Sequence, residues 1–184
     1  NQCEGNPKPR LHRLVKDKGI IVNYGLANQG AVKIYERLKG KKFRIPMGVN
    51  IAKTNDPSIK EENSVNDYFR SFEIMKEIGD YLTINISCPN VGDGRSFEDN
   101  VLLEKLLERI NKIRNDKKIL LKISPDINEK NLNGIIKLAE KYKINGFVVS
   151  NLTKKREGLS SDLKLKYSGG VSGKHTREKS NKLI

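Results

Sequence analysis

The stretch Tyr81-Leu82-Thr83-Ile84-Asn85-Ile86-Ser87-Cys88-Pro89-Asn90 guides the interpretation of the whole chain. Its apolar start is typical of a buried strand, and Pro89 ends the strand because proline has no N–H for a sheet ladder. Cys88 therefore follows the strand on a loop, between two asparagines. Carboxamides can read the donors and acceptors of a small polar ring, and a thiol whose pKa is lowered can take up a proton. The same residues are ordinary in turns, so an active site and a capped turn both stay open.

Four apolar runs, each predicted to be a strand, alternate with helical periodicities. The runs span 43–49, 81–84, 119–123 and 146–150, and polar groups occur at or just beyond their carboxyl ends: Asn50, Asn85 with Cys88, Lys122, and Ser150 with Asn151. This is the pattern of a β/α-barrel, whose site lies at the carboxyl ends of its strands. A doubly wound sheet would gather its polar groups at one switch point. The sequence predicts an α/β protein, a (β/α)8 TIM barrel. About its central half is present, as one partial domain over 1–184.

Several boundaries are predicted from local signals. Ser64 with Asp67 is expected to begin the helix before the second run, and Ser96 or Asp99 the helix after it. The stretch 168–173 is predicted to be a loop whose glycines let backbone amides approach a phosphate or a flavin edge.

Lys122 lies within the apolar run 119–123. An unpaired charge in a protein core costs several kcal/mol, so this lysine predicts a nearby anion or the polar edge of a cofactor. A lysine that extends its ammonium out to solvent is the alternative interpretation.

The composition is strongly basic, with 36 Lys and Arg against 22 Asp and Glu and a formal charge of +14. Such a charge suggests nucleic acid, but the lysines are scattered and aromatic residues are few, which favours a solvated surface and no nucleic-acid partner. Cys3 and Cys88 stand in different settings and indicate a reducing compartment rather than a disulfide framework. The sequence holds neither a run of apolar residues long enough for a membrane span nor a signal-peptide pattern. It begins without Met and stops within a helical-looking stretch, 177–184, so we expect a piece of a longer protein.

Six motifs, in this order and approximate spacing, resemble the dihydroorotate dehydrogenase family. They are GNPKPR at 5–10, GVN at 48–50, NISCPN at 85–90, KISPD at 122–126, SN at 150–151 and GGVSG at 169–173. The resemblance covers essentially the whole chain and implies the middle of an FMN-containing β/α-barrel. The NISCPN box is the most specific motif, although dihydropyrimidine dehydrogenase carries a similar one.

The resemblance implies that dihydroorotate is oxidised to orotate in pyrimidine synthesis. A base removes the proton at ring position 5 and a hydride passes from position 6 to the flavin; Cys88 falls on the base position. The implied substrate contacts are Asn23, Asn85, Asn90 and Asn151. The implied FMN contacts are Asn50, Asn85, Lys122, Ser150, Ser172 and Gly173. No metal is expected.

Features of the sequence point to different electron acceptors. The stretches 11–14 and 169–173 resemble the quinone-reducing class 2 members, whereas Cys88 is typical of soluble class 1 members. We expect quinone, with fumarate or NAD as alternatives. The expected location is the cytoplasm or the periphery of the inner membrane, reached through an N-terminal extension outside this chain.

The segment Asn23-Tyr24-Gly25 departs from the family's Asn-Arg-x-Gly pattern, because it is one residue shorter. Aligned without a gap, Val22 takes the asparagine position, so substrate binding by this segment stays open. Two other functions also stay open: an FMN-dependent oxidoreductase of another pyrimidine, and a non-catalytic basic module that binds nucleic acid.

Overall fold

The computed structural model describes residues 1–87, 97, 100–160 and 166–184. Its strands are β1 Leu11–Leu14, β2 Gly19–Val22, β3 Gly48–Ala52, β4 Tyr81–Asn85, β5 Lys118–Ile123, β6 Gly146–Val149 and β7 Gly170–Gly173. Its α-helices are α1 Ala31–Leu38, α2 Glu61–Met75, α3 Asn100–Ile113, α4 Glu129–Lys141 and α5 Arg177–Asn181, the last preceded by a 3-10 turn, Lys174–Thr176.

The larger sheet is parallel, in the order β3-β4-β5-β6. Its register sets Ala52, Asn85, Lys122 and Val148 side by side across the four strands. Because side chains alternate between the faces of a strand, these residues share one face with Asn50. The predicted α/β class with a parallel sheet is confirmed.

Helices cover the opposite face of the parallel sheet. Strand β5 alternates buried Ile119, Leu121 and Ile123 with less buried neighbours, as expected for a strand with one apolar face. Phe72 of α2 and Leu106 of α3 are fully buried in the same hydrophobic core. This packing leaves the face with Asn85 and Lys122 available for polar groups.

Strand β3 differs from its predicted position. The expected strand 43–49 ends before the observed one does, so Asn50 lies inside β3 rather than after it. Phe43 and Ile45 are 49% and 75% exposed, so the first part of this apolar run does not enter the described core, whereas Met47 and Val49 pack against it. Apolar residues outside a sheet misled the prediction.

Helix α2 begins before Ser64, contrary to the sequence prediction. Its N-cap is Lys60, and Glu61 lies in the first turn, where a carboxylate interacts favourably with the helix dipole. Asp67 accepts hydrogen bonds from the Thr54 N and Oγ1 at 2.7 and 2.8 Å, and so fastens the loop after β3. The predicted helix starts at Ser96 and Asp99 lie outside the described residues.

A second sheet is antiparallel, in the order β1-β2-β7. The sequence interpretation of 168–173 as a loop was wrong, since Gly170–Gly173 pairs with β2 over its whole length. The glycines serve this pairing: a Cβ on Gly173 would lie 2.6 Å from the Gly19 Cα. A bridge between Thr153 and Val171 ties the small sheet to the segment that follows β6.

The predicted scattering of the charges is visible on the helices. Lys105 pairs with Glu62 at 2.8 Å, and Lys112 with Glu108 at 2.9 Å. The hydrogen bond and charge of Lys112 lower the pKa of the exposed Glu108 carboxyl. Among the helices in the described ranges, none has the length and apolar character that a membrane span requires.

Candidate active site

The face of the parallel sheet turned away from the helices carries a polar row near the carboxyl ends of its strands. Asn85 on β4 stands directly opposite Lys122 on β5. Asn50 lies one strand further, opposite Thr83, and its side chain is exposed. The fold therefore places three of the predicted cofactor-binding residues on one surface.

Lys122 is half-buried within β5. Within the described part of the chain, no hydrogen bond or ion pair engages its ammonium, whereas Lys53 donates to the Ile59 carbonyl at 2.9 Å. A charge in this position gains from an anion or an electron-rich group, because partial burial removes part of its hydration. The structure thus fits the anion or cofactor interpretation of this lysine.

Asn85 is 3% exposed and its two amide atoms have different surroundings. Its Oδ1 accepts from the Ser87 N at 3.4 Å and lies 3.4 Å from the Asn151 Nδ2. No hydrogen bond within the described ranges uses its Nδ2. Asn85 is therefore held as a donor, and its acceptor atom is already occupied.

Asn151 extends from the segment after β6 to the end of β4. Its Nδ2 donates to the Ser87 carbonyl oxygen at 3.1 Å and Oγ at 3.2 Å, and its Oδ1 accepts from the Leu152 N at 2.9 Å. These three hydrogen bonds are made to groups of the protein rather than to a ligand. Asn151 thereby joins the ends of β4 and β6 across β5.

Ser87 is a site residue to which the sequence interpretation gave no role. It is 3% exposed, and its Oγ donates to the Lys122 carbonyl oxygen at 2.9 Å. Its place in the NISCPN box, two residues after Asn85 and directly before Cys88, was the available signal. Cys88, the predicted base, is the next residue in the sequence, and both Cys88 and Asn90 lie outside the described residues.

The remaining predicted cofactor contacts lie elsewhere in the fold. The Ser150 Oγ is 2.7 Å from the Ser180 Oγ of α5. Ser172 and Gly173 lie on β7 of the small sheet, and no described hydrogen bond joins either residue to Asn85 or Lys122. Gly173 has a packing explanation of its own, in its close approach to Gly19.

Asp126 organises the loops after β5 and β6. Its carboxylate accepts from the Thr153 Oγ1 at 2.6 Å and from the Lys154 N at 2.7 Å, and the Lys179 Nζ lies 3.7 Å away. Thr153 is fully buried. This cluster fixes the segment that contains Asn151 against the end of β5.

Asn23 follows β2, beside the start of β7. The Asn6 Nδ2 donates to its Oδ1 at 2.7 Å, and no hydrogen bond in the described ranges uses the Asn23 Nδ2. A Cβ on Gly169 would lie 2.9 Å from the Asn23 Cβ, and a Cβ on Gly170 would lie 2.6 Å from the Leu152 Cβ. Asn23 is thus close to the segment that carries Asn151.

Asn23, Asn85 and Lys122 share one chemical property: each has hydrogen-bond donors that no described residue uses. A site of this composition suits ligands whose edges carry carbonyl or carboxylate oxygens, or ring nitrogens with lone pairs. It favours recognition of electron-rich groups over cations.

Comparison with known proteins gives consistent matches along the chain. The family profile described as dihydroorotate dehydrogenase matches residues 1–184. The dihydroorotate dehydrogenase (quinone) of Thermus thermophilus is 38% identical over 173 residues, which cover 92% of this chain and 49% of the relative. The corresponding protein of Crocosphaera subtropica is 37% identical, over 98% of this chain and 50% of the relative. The chain spans about half the length of these curated relatives.

A solved structure supports the same assignment. The ligand-free DHODH of Eimeria tenella has a TM-score of 0.87 and 25% identity, covering 100% of this chain and 58% of that one. The likeness confirms the predicted β/α-barrel class, of which this chain holds about half. With the full-length match to the family profile, it leads to one conclusion: the chain belongs to the dihydroorotate dehydrogenase family.

Proposed function

We propose that the protein containing this chain oxidises dihydroorotate to orotate in pyrimidine biosynthesis, with FMN as hydride acceptor and a quinone as final electron acceptor. Family membership and the names of the curated relatives support the reaction and the quinone. The observation that carries the proposal is the row of unused donors on the sheet face, Asn85 and Lys122.

The residues of this face fit a flavin. A flavin ring has a polar edge of carbonyl oxygens and nitrogens and gains electron density on reduction. The Lys122 ammonium and the Asn85 Nδ2 are unused donors on adjacent strands, and Asn50 presents an exposed carboxamide on the same face. We propose these three residues, with Ser150, Ser172 and Gly173, as FMN contacts. When bound, FMN supplies the acceptor for the hydride from ring position 6 of the substrate.

Lys122 and Asn85 would have distinct roles. A half-buried cation stabilises negative charge more strongly than a solvated one, because water screens it less. Lys122 would therefore favour charge development on the ring at its edge of the site. Asn85, whose Oδ1 is occupied, would donate through its Nδ2 to an oxygen or nitrogen of the cofactor or of the substrate.

The remaining proposed substrate contacts are Asn23, Asn90 and Asn151, and the proposed base is Cys88. The base takes the proton from ring position 5 while the hydride leaves position 6, so the substrate loses two electrons and two hydrogens. Ser87, to which Cys88 is covalently attached, is held at the end of β4 by the Lys122 carbonyl oxygen and Asn151. This anchoring supports a role for the segment in presenting the base.

Spectroscopy of the full-length protein tests the proposal. We expect the purified protein to show a flavin absorbance spectrum that shifts on addition of orotate and bleaches on anaerobic addition of dihydroorotate. A flavin that bleaches with another dihydropyrimidine but not with dihydroorotate would support an FMN-dependent oxidoreductase of another pyrimidine instead. A protein without flavin that binds nucleic acid would contradict both oxidoreductase hypotheses.

Electron-acceptor assays address the quinone. Once dihydroorotate has bleached the flavin, a soluble quinone analogue should restore the oxidised spectrum faster than fumarate or NAD. Preferential reoxidation by fumarate or NAD would assign a class 1 acceptor, in keeping with the cysteine at position 88. Flotation of the full-length protein with lipid vesicles tests the expected peripheral attachment to a membrane.

A further inference from the structure

Three asparagines from separate segments form a chain of hydrogen bonds beside the proposed substrate site. The Asn55 Nδ2 donates to the Gly25 carbonyl oxygen at 3.2 Å and to the Asn6 Oδ1 at 2.9 Å. The Asn6 Nδ2 donates in turn to the Asn23 Oδ1 at 2.7 Å. This hydrogen-bond chain thus runs from the loop after β3 to the end of β2, beside the segment that follows β6.

The Gly25 carbonyl sets the donor-to-acceptor direction of this hydrogen-bond chain. A backbone carbonyl can only accept, so the Asn55 amide must turn its Nδ2 toward Gly25. With its second hydrogen, Asn55 requires the Oδ1 of Asn6 as acceptor, and Asn6 then offers its Nδ2 to the Asn23 Oδ1. Each carboxamide orientation follows from the preceding one.

The backbone near the three asparagines leaves room for this hydrogen-bond chain. Gly25 has a φ of 68°, and a Cβ there would lie 2.5 Å from the Asn6 Oδ1. The Asn6 N donates to the Tyr24 carbonyl oxygen at 3.1 Å, and the Asn55 N donates to the Cys3 Sγ at 3.3 Å. Asn6 and Asn55 are therefore held by their backbones as well as by their side chains.

We infer that Asn55 and Asn6 are positioning residues that hold Asn23 as a hydrogen-bond donor to a carbonyl or carboxylate oxygen of the pyrimidine ligand. The inference rests on the proposed function and extends it to two residues that need not touch the ligand. It also explains how the segment can bind substrate although Val22 takes the family's asparagine position. The Asn23 carboxamide, one residue later, is oriented by the fold, and its Nδ2 is left for the ligand.

A change at Asn55 tests the direction of the chain. In Asn55→Asp the carboxylate can only accept, so Asn6 should reverse, and Asn23 should then present its Oδ1 to the site. An acceptor facing the ligand's oxygen should raise the Kd for orotate, measured by flavin spectral titration of the full-length protein, by about tenfold to a hundredfold. Asn55→Ala removes the constraint without reversing it and should raise the Kd only about twofold to fivefold.

Controls separate this mechanism from charge and folding effects. Lys60→Gln changes the charge of the same loop by the same amount at an exposed residue, and should leave the Kd within about twofold. In an Asn23→Ala background, Asn55→Asp should cost no more than about twofold, because the donor that it acts through is gone. An equal loss in that background would assign the effect to repulsion or loosening and overturn the inference.

A second variant avoids any rearrangement of the hydrogen-bond chain. Asn23→Asp still accepts from the Asn6 Nδ2 but replaces the free amide with an oxygen, so it should weaken orotate binding at least as much as Asn55→Asp. Parent-like affinity of Asn23→Asp overturns the donor role even if Asn55→Asp does not fold. Failure of the parent protein to bind orotate overturns the proposed function itself, which distinguishes the two failures.

Discussion

Truncation of Asn151 to alanine should destabilise the protein even with no substrate present. Its side chain makes hydrogen bonds of 3.1, 3.2 and 2.9 Å to the Ser87 carbonyl oxygen, the Ser87 Oγ and the Leu152 N. At about 1 kcal/mol for each bond, and with the buried Ser87 carbonyl left without a partner among the described residues, we expect a loss of about 2–4 kcal/mol. Ser87→Ala should cost only about 1 kcal/mol. The Lys122 carbonyl oxygen loses the hydrogen bond from the Ser87 Oγ but keeps the one from the Ile86 N.

Urea unfolding of the flavin-loaded, full-length protein, followed by far-UV circular dichroism, measures this loss. Orotate is left out, so that a lost substrate contact does not enter the free energy of unfolding. Asn181→Ala, at the exposed end of α5, is the matched control and should change the free energy of unfolding by less than about 0.5 kcal/mol.

The order of the variants is the critical result. If Asn151→Ala unfolds at the same urea concentration as the parent, the join between β4 and β6 contributes nothing, and the reasoning from these distances is refuted. If it is destabilised and also binds orotate weakly, Asn151 both joins the strands and supports the substrate site.

Further predictions concern the cofactor, the base and the core. Lys122→Gln should lower the reduction potential of the bound flavin by roughly 30–90 mV, measured by spectroelectrochemistry, since a partly buried charge interaction is worth about 1.4–4 kcal/mol; an unchanged potential would make this lysine a packing residue. Cys88→Ala should slow stopped-flow bleaching by dihydroorotate about 10²- to 10⁴-fold, and a parent-like rate across neutral and alkaline pH would exclude this thiol as the base. Cys88→Ser should keep part of the activity, with its pH dependence moved upward. Phe72→Ala should cost about 3–5 kcal/mol of stability by thermal unfolding, and a loss below about 1 kcal/mol would contradict its place in the core.

Local patterns in the sequence predicted the parallel sheet well. Strands β4 and β5 are apolar runs with polar residues at their carboxyl ends, so the positions of Asn85 and Lys122 followed from spacing alone. Strand β3 was misplaced because Phe43 and Ile45 are apolar but exposed. Hydrophobicity predicts burial only where the fold supplies a partner surface.

Long-range partners could not be predicted in the same way. Strand β7 consists of Gly170-Val171-Ser172-Gly173, a composition typical of loops, and becomes a strand because β2 supplies its hydrogen bonds. The same limit applies to the carboxamide chain of Asn6, Asn23 and Asn55, since each side chain's direction depends on residues far away in sequence. Sequence motifs identified candidate residues, and the fold determined which of their atoms remain available.

The pairing of β2 with β7 has a consequence for how the protein is made. Gly19 pairs with Gly173, so the small sheet cannot be completed until nearly all of this chain has left the ribosome. The hairpin of β1 and β2 emerges first, yet an isolated two-stranded hairpin is marginal in water, and its open edge can recruit another chain. The parallel strands and their helices emerge in between, so we expect them to associate before β7 arrives. The parallel sheet is thus expected to form before the small sheet is complete, and the edge of β2 that later pairs with β7 stays open to other chains during synthesis.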